Sequence, residues 1–148
     1  MSRIGLQTDT NLILTFVRVG LGIVILPHGA QKLLGWFGGS GFGATISFFN
    51  SIGVPSFVAF LVILAEFFGA LGLIFGFCTK LSAFGIALTM IGAAVFVRQN
   101  GFFMNWFGNQ AGEGFEYHIL AIVMALVLLI AGGGAYSVDA YIMEKLKQ

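Results

Sequence analysis

The chain has 148 residues, of which 58% are hydrophobic and only 9% charged. A soluble domain carries about 25% charged residues, so this composition excludes an ordinary water-soluble fold and indicates a membrane protein. The formal net charge of +1 gives no basis for nucleic acid as a partner, and Cys78, the only cysteine, excludes an internal disulfide, a CxxC redox pair or a multi-cysteine metal site.

The polar leader Met1–Asn11 runs into an apolar stretch with no small-x-small cleavage pattern after it, so this stretch reads as an uncleaved membrane helix over about Asn11–Leu34. Pro27 lies in its outer part and, lacking an N–H, kinks or ends the helix there. A Gly- and aromatic-rich connection, residues 35–56, follows. The second helix is predicted over Phe57–Phe77, roughly 30 Å long and able to cross a bilayer, with Glu66 as its only charge. Cys78-Thr79-Lys80 then makes a tight turn into a third helix over Leu81–Val97. A second Gly- and aromatic-rich loop, residues 98–116, leads to a fourth helix over Tyr117–Ala131, a short run expected to continue at one end.

The fold class expected is all-α: an integral membrane protein built as a single four-transmembrane-helix bundle over residues 1–148. Basic residues near helix ends set the orientation. Arg3, Lys80, Lys145 and Lys147 fall on the terminal side against Lys32 and Arg98 on the loop side, which places both termini in the cytoplasm. Trp36-Phe37-Gly38 with Gly41-Phe42 and Trp106-Phe107-Gly108 with Gly114-Phe115 follow helices of the same direction. They fit two duplicated hairpins, and equally the ordinary recurrence of aromatics and glycine at membrane interfaces.

A carboxylate midway along an apolar helix costs about 2–4 kcal/mol unless it is protonated or paired. Helical spacing puts Glu66 on a face with Ala59, Gly69, Ala70 and Leu73, opposite Leu64, Phe68, Leu71 and Phe75, so Glu66 points into the bundle. Comparable small or polar seams are Asn11, Thr15, Arg18 and Gly22; Ser82, Gly85, Thr89 and Gly92; and His118, Ala121, Ala125 and Gly132. By residue count Arg18 lies about 10 Å deep and Glu66 about 16 Å deep, a gap the arginine side chain can span, so a buried Arg18–Glu66 pair is expected. It would act as a structural clasp, or as a charge gate or proton site.

A second polar set forms a collar at the outer side. It comprises His28, Gln31 and Lys32, then Arg98, Gln99 and Asn100, then Glu113, Glu116 and His118. His28, Glu116 and His118 are the candidates for proton or quinone handling, because histidine and carboxylate exchange protons near neutral pH and hydrogen-bond a quinone carbonyl. Two histidines without paired in-helix spacing are poor material for haem or another metal site. Trp36, Phe37, Phe42, Phe102, Phe103, Trp106 and Phe107 read as interfacial anchors or as the walls of a ligand pocket.

Several ordered stretches resemble the DoxX family of small bacterial membrane proteins. They are Arg18-Val-Gly-Leu-Gly leading into Leu26-Pro27-His28-Gly29-Ala30-Gln31-Lys32, then Ala65-Glu66 and its glycine-spaced continuation to Thr79-Lys80. Asn100-Gly101-Phe102-Phe103, Gly112-Glu113-Gly114-Phe115-Glu116-Tyr117-His118 and Tyr136-Ser137-Val138-Asp139 complete the set. The resemblance implies a four-helix protein of the bacterial inner membrane, of a kind linked to quinol- and sulfur-oxidising complexes and to redox stress. It carries no catalytic assignment onto Arg18, His28, Glu66 or His118.

Three functions fit these features. The first is a quinone-linked redox subunit whose electron carrier sits on a partner enzyme, since no haem or flavin motif is present. The second is a carrier lined by Arg18 and Glu66, working as a homo-oligomer. The third is an assembly or scaffold subunit without chemistry of its own.

Overall fold

The computed structural model describes residues 11–147, and all of its described elements are helical. The leader up to Thr10, with Arg3, lies outside the described residues. Helix α1 spans Leu12–Leu34. Asn11 caps it by accepting from the Ile13 N–H at 2.8 Å, and Gly35 ends it at φ 74°, a left-handed cap that suits glycine. Pro27 does not end α1: the helix continues past it to Leu34. The connection after α1, read from the sequence as loop, contains helix α2 (Gly41–Ser51). Its glycine and serine residues hid it from a propensity reading, and packing against α1 and α3 holds it.

Ser56–Phe75 is one continuous rod with a local change of winding. Helix α3 (Ser56–Leu64) passes into a π turn, Ala65–Gly69, and then into α4 (Ala70–Phe75), which closes on Gly76 at φ 68°. Helix α5 (Thr79–Val97) runs on through a 3-10 turn, Arg98–Asn100. Helix α6 (Glu116–Ala131) does not extend beyond the apolar run, because Gly132, Gly133 and Gly134 follow immediately and two of them take positive φ. A further short helix, α7 (Val138–Lys145), starts at Ser137, whose hydroxyl accepts from the Ala140 N–H.

Leu12–Leu34, Ser56–Phe75 and Thr79–Asn100 are long and apolar enough to cross a membrane, and α6 is a shorter apolar helix beside them. The side chains are arranged as lipid requires. Ala59, Gly69, Ala70 and Leu73 are buried, while Phe68 and Phe75 face outward, as the sequence pattern predicts. In α5 the expected Ser82–Gly85–Thr89–Gly92 seam is only partly inward: Gly92 is exposed, and Ala83, Ile86, Ala87 and Met90 fill the core instead. The cause is contact with α6, whose Ala121 and Ala125 leave room for larger neighbours.

Two glycines bring α1 against the second rod. A Cβ on Gly22 would lie 2.9 Å from the Ala70 carbonyl oxygen, and one on Gly29 would lie 2.6 Å from the Phe67 backbone nitrogen. At one end of the bundle Asn11, the α4–α5 turn and the segment 133–139 meet; at the other lie α2 and the loop 101–115. These are called below the terminal end and the loop end.

Candidate functional site

Arg18 organises the terminal end. Its guanidinium, 2% exposed, donates to the carbonyls of Leu73 (2.9 Å), Ile74 (2.5 Å), Gly133 (2.7 Å), Ala135 (3.3 Å) and Tyr136 (2.8 Å). Leu73 and Ile74 close α4, whose last carbonyls have no partner within the helix and carry the negative end of its dipole. Beside them the Asp139 carboxylate accepts from the N–H groups of Cys78 and Thr79 at 2.9 and 2.8 Å, capping the start of α5. The Asp139 charge also acts on Arg18. This is a polar clasp between α1, the α4–α5 turn and α7, in which every guanidinium nitrogen of Arg18 donates, while the buried Thr79 hydroxyl has no partner.

Glu66 belongs to a different centre. It does not pair with Arg18 as expected: its Oε2 binds Lys32 Nζ at 2.6 Å, with the carboxylate side chain 5% and the lysine 27% exposed. The direction of side chains along a helix explains the difference. Side chains lean toward the N-terminus of their own helix. Lys32, near the end of α1, leans back into the bundle, and Glu66 on the antiparallel rod leans toward the loop end to meet it. Arg18 leans the opposite way, toward the terminal carbonyls.

The π turn presents Glu66, and Gly29 lets α1 sit directly on that turn. Single-turn π insertions in helices recur at functional sites. Around the ion pair stand three more groups. His28, one helical turn before Lys32, is exposed at the bundle surface and feels the charges of both Lys32 and Glu66. The Tyr117 ring lies 6.2 Å from the His28 ring and 5.5 Å from that of His118. The Tyr117 hydroxyl is buried without a hydrogen-bond partner, and the Glu66 charge acts on it. His118 Nδ1 is also buried without a partner at hydrogen-bond geometry, although the Phe115 carbonyl is close by.

The rest of the expected collar does other work. Glu116 accepts from the Met104 N–H (2.9 Å) and the Trp106 indole (3.0 Å), and Glu113 from the Asn105 N–H (2.8 Å). Both carboxylates thus hold the loop 101–115, and Glu116 is not joined to His118 by a hydrogen bond. Asn100 donates to the Glu113 carbonyl, Gln31 to that of Phe37, and Arg98 is exposed at the end of α5. Among the described residues no three His, Cys, Asp or Glu side chains gather in a way that could hold a metal ion. Tyr117 and the Lys32–Glu66 contact were not identified from the sequence. Antiparallel lean would have revealed the second, but nothing short of the α1–α6 packing reveals the first.

The family model for DoxX matches residues 13–99, which hold Arg18, His28, Lys32 and Glu66 in the order described. The chain belongs to the DoxX family. It is 32% identical over 131 residues to a Bacillus subtilis (strain 168) protein named "Putative oxidoreductase CatD", covering 88% of this chain and 87% of that one. It is also 33% identical over 112 residues to the "Inner membrane protein YqjF" of Escherichia coli (strain K12), covering 75% and 82% respectively. No solved structure matches. The DoxX match ends at the close of the third apolar rod, so Tyr117 and His118 lie in the part of this DoxX-family chain beyond it.

Proposed function

We propose that this DoxX-family protein is a quinone-linked redox subunit of the bacterial inner membrane, working with a partner enzyme that holds the electron carrier. One observation carries the reading: the buried Glu66, paired with a partly exposed Lys32, is gathered with His28, Tyr117 and His118 at a single place in the bundle, apart from the Arg18 clasp. Ionisable groups at membrane depth are costly and mark substrate or proton paths. A quinone needs hydrogen-bond donors for its carbonyls and groups that exchange protons with it, and His28, His118 and Tyr117 supply both. The oxidoreductase name of the Bacillus subtilis relative agrees with this reading. In place of Glu116, which holds a loop, the carboxylate of the site is Glu66.

The same reading includes four spans, with α6 as the fourth, and both termini in the cytoplasm. Arg3, Lys80, Lys145 and Lys147 on the terminal side outnumber Lys32 and Arg98 at the loop end, which supports the orientation.

The test is extraction of the purified protein with organic solvent and quantification of quinone against bulk phospholipid. Quinone should be retained in stoichiometric amount and be depleted in a His28→Ala variant. Quinone no more abundant than in the surrounding lipid would overturn the proposal. Affinity capture from solubilised native membranes should bring down a redox enzyme together with the chain.

A further inference from the structure

The Glu66 site holds one open donor and one open acceptor that do not satisfy each other. Glu66 Oε2 is taken by Lys32, while Oε1 accepts no hydrogen bond among the described residues. The Tyr117 hydroxyl is buried and unpartnered, yet close enough for the carboxylate charge to act on it. Geometry places it at the same spot: the Tyr117 ring lies 6.2 Å from that of His28, and the residue after His28, Gly29, packs on the Glu66–Phe67 backbone. A buried phenol left without a partner forgoes about 1–3 kcal/mol. From the geometry we infer that a hydroxyl oxygen of the ligand sits between them, donating its proton to Glu66 Oε1 and accepting from Tyr117. This rests on the quinone-linked reading and sharpens it, because only the reduced, hydroxyl-bearing form of such a ligand can make both bonds. The oxidised form offers a carbonyl, which accepts from Tyr117 and leaves Oε1 unbonded.

Access follows from the same residues. His28 is exposed on α1, and its ring lies beside Tyr117 on α6. Around it Val24 and Leu120 are exposed apolar side chains of the same two helices. The ligand therefore enters sideways from the bilayer between α1 and α6, passing His28, with its ring apolar enough to partition into lipid and its hydroxyl directed at the ion pair.

The experiment uses full-length protein in lipid nanodiscs titrated with a short-tailed benzoquinol and, separately, with the matching benzoquinone. Tyr117→Phe removes one oxygen that has no partner, so the fold is undisturbed and the variant reads the site alone. The wild type should bind the quinol about tenfold more tightly than the quinone, and Tyr117→Phe should weaken quinol binding about tenfold, the scale of one lost hydrogen bond. Equal quinol affinity of Tyr117→Phe and wild type would overturn the inference while leaving the quinone-linked reading intact. Equal wild-type affinity for the two forms would likewise remove Glu66 as the acceptor. Wild type that binds neither form would sink the quinone-linked reading itself.

Discussion

Lys32 and Glu66 meet because they lean toward each other from antiparallel helices, and the 2.6 Å contact sits where the second rod changes to π winding. The missing side chain of Gly29 lets α1 lie directly on that turn, where a Cβ would meet the Phe67 backbone. A charge pair of this kind is poor evidence for stability, since removing two ions from water offsets most of their attraction. Its placement beside an unpartnered phenol and two histidines is what supports the proposed reading of the pair as a site rather than a brace.

Losing one member of the pair should be worse than losing both. Lys32→Met leaves a carboxylate buried in an apolar bundle and should destabilise the protein by about 3–5 kcal/mol, seen as a lower melting temperature in detergent. Adding Glu66→Gln should restore most of that loss. A cycle combining Arg18→Lys with Glu66→Gln should instead be additive, because those two side chains belong to separate networks. Strong coupling in the Arg18 cycle, with none in the Lys32 cycle, would contradict the pairing described.

Glycine contacts give a second handle. Gly29→Ala places a Cβ against the Phe67 backbone and must push α1 off the π turn, at about 1–3 kcal/mol or more, while also parting Lys32 from Glu66. Gly20→Ala meets nothing within 4 Å and should be neutral or stabilising by up to about 1 kcal/mol, as expected for alanine in a helix. Thermal unfolding of the two variants side by side checks this, and similar losses in both would refute the close approach at Gly29.

Arg18 should tolerate no substitution, lysine included. A lysine has one nitrogen where five carbonyls now receive bonds from three, so several buried acceptors would be left unpaired at about 1–3 kcal/mol each. Arg18→Lys should therefore melt far below wild type in detergent. Asp139→Ala, which removes the cap of α5, should cost a smaller amount, about 0.5–2 kcal/mol. If Arg18→Lys proved the milder change, the guanidinium would not be the centre of the terminal clasp.

What could be read in the sequence follows from what each signal depends on. The inward face of Glu66 and the outward face of Phe68 and Phe75 need only helical periodicity, and both are as expected. Partner choice needs more. Matching Arg18 to Glu66 compared backbone depths and ignored side-chain direction, which adds several ångströms of opposite sign on antiparallel helices. Helix α2 was hidden because Gly41, Gly43, Ser47 and Ser51 weaken the propensity signal that packing then overrides. Glu116 looked catalytic beside His118 in the chain, but the loop that folds back over it supplies two N–H donors no linear reading displays.

Orientation can be tested with the protein's own Cys78, which is exposed in the turn between α4 and α5. With both termini in the cytoplasm, a membrane-impermeant maleimide should leave Cys78 unlabelled in intact spheroplasts and label it after permeabilisation. Asn109 is exposed in the loop at the opposite end, so a Cys78→Ser/Asn109→Cys variant should show the reverse. The two results are linked by span number. Four spans put Cys78 on the same side as Lys145, at the far end of α7, whereas a bundle in which α6 stays in one leaflet would put Lys145 with Asn109. Adding Lys145→Cys to the Cys78→Ser background separates these cases. Protection of the introduced thiol in intact spheroplasts establishes α6 as a crossing helix, and ready labelling there would reduce the spans to three.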